Sequence, residues 1–136
     1  MTGSTNMHDP AQHGRAIALC QASDLLDGGL AVPFDVVYAG QTCRAFAVRY
    51  RGSAFAYLNR CTHVAMEMDY QPNRFFDDSG QWLMCATHGA VYHPQTGRCA
   101  GGPCRGGLVA IALSEIHGVV HWHTAPLLEP VEFPDV

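Results

Sequence analysis

Apolar and polar positions alternate with a period of two through much of this chain, and short glycine-bearing turns separate the alternating runs. Residues 16–20 form a first candidate strand, and Ser23, Asp24, Leu25 and Leu26 read as one helical turn or a polar corner. Gly28 and Gly29 release the chain into a second apolar run over 30–37. In the next run, 42–50, Phe46, Val48 and Tyr50 fall on one face and Cys43, Ala45 and Ala47 on the other. Arg51-Gly52-Ser53 turns this strand back into 54–58, which predicts an antiparallel hairpin delivering Asn59, Arg60 and Cys61 at its far end. Residues 62–80 carry few regular apolar positions and end in the turn Asp77-Asp78-Ser79-Gly80. Short strands at 82–84 and 90–92 flank a loop from Cys85 to Gly89, and a closing hairpin is expected from 108–113 and 119–123 over the turn 114–118.

These patterns predict an all-β sandwich or barrel without internal repeat. Its parts would be an N-terminal arm over 1–14, one domain over 15–125, and a surface tail over 126–136 that carries three prolines and three acids. Composition agrees: 48% hydrophobic and 15% charged residues, with 14 glycines and 8 prolines, suit a turn-rich domain that buries a core. Lysine is absent, and 8 arginines against 12 acids give a net charge of -4. Such a chain lacks the basic footprint of a nucleic-acid binder. No apolar run is long enough to cross a bilayer, and none resembles a signal-peptide core, so a cytoplasmic protein with no membrane association is expected. In that compartment cysteines serve more often as metal ligands than as disulfides.

Six cysteines then need an explanation. Two clusters, Cys61-Thr62-His63 and Cys85-Ala86-Thr87-His88, each offer one thiolate and one imidazole from a loop, with 21 residues between His63 and Cys85. Loops can turn successive side chains towards one point, as a strand face cannot. Neither spacing is that of a helix-borne zinc finger. Zinc-stabilised Cys2His2 coordination and a metal-free set of buried cysteines are the simpler alternatives.

The Cys-x-His and Cys-x2-His pair, with Gly89 after the second histidine, Tyr92, Gly97 and Gly102-Pro103, resembles the Rieske iron-sulfur proteins, most of all the stand-alone Rieske ferredoxins of oxygenase systems. The resemblance implies a Rieske-like fold of three small antiparallel sheets, with a cluster-binding subdomain at about 59–105 inserted in a β sandwich. It implies one [2Fe-2S] cluster bound by Cys61 and Cys85 on one iron and by His63 and His88 on the other, with Gly89, Tyr92 and Pro103 around it. Neutral imidazoles in place of two thiolates reduce the negative charge at the irons, which raises the potential into the range of roughly -150 to +300 mV. High-potential members carry a further cysteine in each loop, joined as a disulfide. Here Val64-Ala65-Met66 and Ala86-Thr87 stand in those loops, and Ala90 replaces a serine, so the lower half of that range is expected, with the Tyr92 phenol raising it modestly.

The implied function is one-electron transfer from a flavin-dependent reductase to an oxygenase-like acceptor, by a protein that is not an enzyme on its own. A small subunit of a larger oxygenase or nitrite reductase-like assembly, and a redox-sensing domain, are the other readings. The separate domain that holds an oxygenase's mononuclear iron is not expected in the residues after 107. Cys99 and Cys104 flank the proline-bearing loop and are expected as free thiols, or as a disulfide if oxidised. Cys20 and Cys43 are expected in the core, and His121 and His123 share a strand face without forming a second metal site.

Overall fold

The computed structural model describes residues 14–60, 67–69, 71–86, 89–104 and 106–131. The order along the chain is β1 (Ala16–Gln21), a 3-10 turn (Ala22–Asp24), β2 (Val32–Tyr38), β3 (Gln41–Tyr50), β4 (Ser53–Leu58), β5 (Leu83–Met84), β6 (Val91–Tyr92), β7 (Cys99–Gly101), β8 (Ala110–Ile111), β9 (Leu113–Ile116), β10 (Val119–His123) and β11 (Leu128–Pro130). They form three sheets, β1-β10-β9, β11-β2-β3-β4-β8 and β5-β6-β7, and every strand ladder is antiparallel. The expected all-β architecture of three small sheets is therefore the observed one.

Three hairpins share one local cause. Tyr38 pairs with Gln41, Tyr50 with Ser53, and Ile116 with Val119, so each loop has two residues. Those residues are Ala39-Gly40, Arg51-Gly52 and His117-Gly118, all with positive φ. That is the turn whose twist matches the strands it joins, and glycine in the second place removes half of its steric cost.

β3 sits in the middle of the five-stranded sheet, and its alternation is that of a strand buried on both faces. Phe46, Val48 and Tyr50 enter one core with Tyr57, Met68, Phe75, Phe76, Leu83, Cys85, Ala90 and Tyr92. Ala45 and Ala47 enter the other, with Val36, Ala56, Leu58, Ile111, Val120, Trp122 and Leu128. The second core lies between the two larger sheets, and the first fills the space between the five-stranded sheet and β5-β6-β7.

Four features differ from the expectations. The 3-10 turn begins at Ala22, one residue early, because the Gln21 amide donates to Asp24 Oδ2 (3.0 Å). The expected strand over 108–113 is broken: β8 pairs with β4, and β9 with β10 in the other sheet. A single apolar run bridges two sheets there, so its continuity did not reveal the change of partner. β7 was not foreseen, since Cys99–Gly101 is too short and glycine-rich to show a period. The surface tail over 126–136 contains β11, which pairs with β2 and buries Leu128. Pro130 ends that strand at the sheet edge, where its missing N–H costs no ladder bond.

Candidate functional site

β4 ends at Leu58, and the chain enters the first cysteine-histidine loop through Asn59 and Arg60. Asn59 is 8% exposed and latches the base of that loop. Its Oδ1 accepts from the Met68 amide (2.7 Å), and its Nδ2 donates to Asp69 Oδ1 (2.7 Å). The other Asp69 oxygen accepts from the Asn73 amide (2.8 Å), and the Asn59 amide donates to the Arg44 carbonyl on β3 (2.9 Å). One side-chain amide thus satisfies both ends of the loop in a place where water is scarce.

The second loop is set by the short sheet. Cys85 follows β5, and its amide donates to the Ala90 carbonyl while Gly89 donates back to the Cys85 carbonyl, both at 2.8 Å. This tight turn holds Cys85 wholly buried against Met68, Leu83, Ala90 and Tyr92. The two loops meet at their bases, where the Ala86 amide donates to the Met68 carbonyl (2.9 Å). Phe75 ties the same floor to the main sheet: its ring stacks on Phe46 at 3.7 Å, and its carbonyl accepts from the Met84 amide (2.8 Å).

A third segment lies over the second loop. Gly102 has φ of +80°, and a Cβ there would stand 2.7 Å from the Gly89 carbonyl oxygen and 3.0 Å from Ala90 Cα. Only glycine lets the backbone of the proline-bearing loop approach so closely. Beyond it, Tyr57 donates its hydroxyl to the Pro94 carbonyl (2.7 Å) from a buried position that pushes the phenol well above its ordinary pKa. The Trp82 and His93 rings meet edge to face at 5.1 Å on the outer side of the small sheet.

Residues 15–114 match the family described as the Rieske [2Fe-2S] domain. The chain belongs to that family.

Similar solved structures share the Rieske fold. The ferredoxin of carbazole 1,9a-dioxygenase from Nocardioides aromaticivorans IC177 is 18% identical, with a TM-score of 0.65 over 81% of this chain and 98% of that one. A complex of reduced oxygenase and oxidized ferredoxin in carbazole 1,9a-dioxygenase contains a chain 22% identical, with a TM-score of 0.63 over 86% of this chain and 97% of that one. The terminal oxygenase of carbazole 1,9a-dioxygenase from Novosphingobium sp. KA1 is 17% identical, with a TM-score of 0.63 over 90% of this chain but only 32% of the oxygenase. No curated protein sequence matches the chain.

Of the residues expected at the site, Cys85, Gly89, Tyr92 and Pro103 are brought to one end of the molecule, around the turn and the loop that lies on it. Cys61, His63 and His88 lie outside the described residues, as do Val64, Ala65, Met66 and Thr87. The expectation of one [2Fe-2S] cluster is corrected against the described residues: among them no group of three or more His, Cys, Asp or Glu side chains could hold a metal ion. Cys85 is the one described member of the expected donor set.

The expectation of free thiols at Cys99 and Cys104 is corrected too, since they are joined as a disulfide with Cα atoms 5.8 Å apart. Sulfurs bonded to each other offer no thiolate to a metal. Their spacing across a glycine-proline loop was the available signal. Cys20 and Cys43, expected in the core, are only half-buried and pack against the core between the large sheets, and burial pushes the Cys20 thiol up. Sequence reading placed Asn59 at the end of the hairpin but gave it no role; its position directly before the first loop was the hint.

Proposed function

We propose that this chain is a one-electron carrier that accepts electrons from a flavin-dependent reductase and delivers them to an oxygenase-like acceptor, without being an enzyme on its own. The observation that carries this reading is the Rieske family match, which spans both cysteine-histidine loops. Ferredoxins of similar structure are covered almost end to end by this chain, whereas only about a third of the similar oxygenase is. Cys61, His63, Cys85 and His88 are the residues assigned to this role, within a subdomain spanning about 59–105 of a domain over 15–125.

Supporting features are local. The Asn59 latch and the Ala86–Met68 hydrogen bond join the two loop bases through a few backbone atoms, so their relative position is fixed where electron exchange needs little rearrangement. No helix among the described residues is long and apolar enough to cross a membrane. We place the carrier in the cytoplasm, where such reductases draw on soluble reductant.

Voltammetry and electron paramagnetic resonance of the purified chain test the reading. A reversible one-electron couple, lost in His88→Ala and in Cys61→Ser, is expected. A chain that takes up no electron, or a couple indifferent to both substitutions, overturns it.

A further inference from the structure

The Cys99–Cys104 bond closes a loop of four intervening residues, Ala100, Gly101, Gly102 and Pro103. Most of the surrounding backbone is held without it. Tyr92 pairs with Cys99 and Val91 with Gly101, the Cys99 amide donates to the Gly106 carbonyl (2.7 Å), and the Leu108 amide donates to the Gly97 carbonyl (2.8 Å). Residues 102–104 have fewer ties: the Cys104 amide donates to the Gly102 carbonyl (2.9 Å), within the loop itself. The disulfide is therefore a local clip on the segment that lies against Gly89 and Ala90, not a staple across the fold.

Both states of the pair fit the site. Cys99 Sγ is 3.1 Å from the Cys104 carbonyl oxygen, and Cys104 Sγ is 3.2 Å from that of Gly101 and 3.7 Å from that of Val91. Reduced thiols would find acceptors at those carbonyls, so opening the bond strands no buried donor. The cysteines are half-buried, while Ala100, Gly102 and Pro103 are exposed, leaving an approach to the sulfurs from solvent. A disulfide in a cytoplasmic chain is usually transient rather than structural.

We propose that Cys99 and Cys104 form a reversible thiol–disulfide exchange site for a dithiol reductant, and that its state sets how firmly loop 101–104 is held on the Gly89–Ala90 turn. A thiolate of the reductant attacks one protein sulfur, the S–S bond breaks, and the other sulfur leaves as a thiolate that takes a proton. The second thiol of the reductant then displaces the first protein sulfur, so two electrons and two protons pass to the protein and the reductant ends as a disulfide. Because the loop lies on the turn between Cys85 and Ala90, the exchange would tune the electron carrier; that consequence rests on the function proposed above.

Dithiothreitol titration of the folded chain, followed by maleimide labelling and peptide mass analysis, reads the exchange. Cys99 and Cys104 should become labelled together without unfolding and be protected again by oxidised dithiothreitol. Hydrogen exchange at the Cys104 and Gly89 amides should then quicken about tenfold, with β3 unchanged, and a Cys99→Ser/Cys104→Ser chain should exchange like the reduced protein. A bond that opens only on unfolding overturns the proposal, as does reduction that leaves Gly89 exchange unaltered. Neither readout needs electron uptake, so a chain without a one-electron couple would sink the carrier reading and leave the exchange site standing.

Discussion

The two faces of the five-stranded sheet are built differently. Between the large sheets the core is aliphatic apart from Trp122 and the flanking rings of Phe34 and Tyr38, and continuous ladders such as the seven pairs from Val32↔Ala47 to Tyr38↔Gln41 frame it. Under the site the core is aromatic, with Phe46, Tyr50, Tyr57, Phe75, Phe76 and Tyr92, and its covering strands are two or three residues long. Where ladders are short, specific polar contacts take their place: the Asn59 amide, the Asp69 carboxylate and the Tyr57 hydroxyl. One face rests on long ladders, and the other on short strands tied by side-chain hydrogen bonds.

Matched truncations should break that comparison most visibly. Trp122→Ala and Phe75→Ala each empty a buried aromatic site and should each cost about 3–5 kcal/mol in denaturant titration. Phe75→Ala alone should also disturb the Cys85 turn, because the Phe75 ring and Cys85 share one buried cluster, and with it the one-electron couple. Equal loss of the couple in both variants would show that the two faces are not separable.

Asn59→Ala should cost about 2–3 kcal/mol, since it leaves the Met68 amide and one Asp69 oxygen unsatisfied in a poorly hydrated place. Hydrogen exchange at Met68 should rise far more than at Val120. Tyr57→Phe should cost about 1–2 kcal/mol through the orphaned Pro94 carbonyl, measured by thermal unfolding. Burial holds the folded phenol above its ordinary pKa, so its contribution to stability is present below the unfolded phenol's pKa and is lost as pH rises above it, an alkaline slope that Tyr57→Phe should lack.

On the carrier reading proposed above, Tyr92→Phe should lower the potential, because removing a hydroxyl donor near electron-rich sulfur disfavours the more negative reduced state. A bond of about 1 kcal/mol corresponds to about 40 mV for one electron, and an unchanged or higher potential would remove Tyr92 as a tuning group.

The smallest effect belongs to the sandwich face. Arg49 Nη2 and Glu115 Oε1 lie 2.9 Å apart, and this hydrogen-bonded pair holds the Glu115 carboxyl below its ordinary range. Its contribution is present above the unfolded carboxylate pKa and is lost as pH falls through the lower folded value. Glu115→Gln should cost under about 1 kcal/mol at neutral pH because the carboxylate is partly solvated. Urea titrations should show wild type and variant converging in acid.

Hairpin β3-β4 was foreseen where period-two alternation met a turn containing glycine, whereas the closing hairpin was foreseen with its first strand at 108–113 and its turn at 114–118, the stretch that β9 largely occupies. β5, β6 and β7 are too short for a period to be expressed, and Phe75 and Phe76 are buried from an irregular segment that has none. Cys85, Gly89, Tyr92 and Pro103 were named through the family resemblance, whose motif is a short-range property of the sequence.

By itself the sequence determined the β class and the two faces of β3, since side-chain alternation is set by a few neighbouring residues. Tertiary structure alone decided that Asn59 latches the first loop, that the 108–116 run is divided between two sheets, and that Cys99 and Cys104 meet as a disulfide over the second loop. Each of these depends on which distant backbone groups are left needing a partner once the sheets have packed, and no local pattern encodes that.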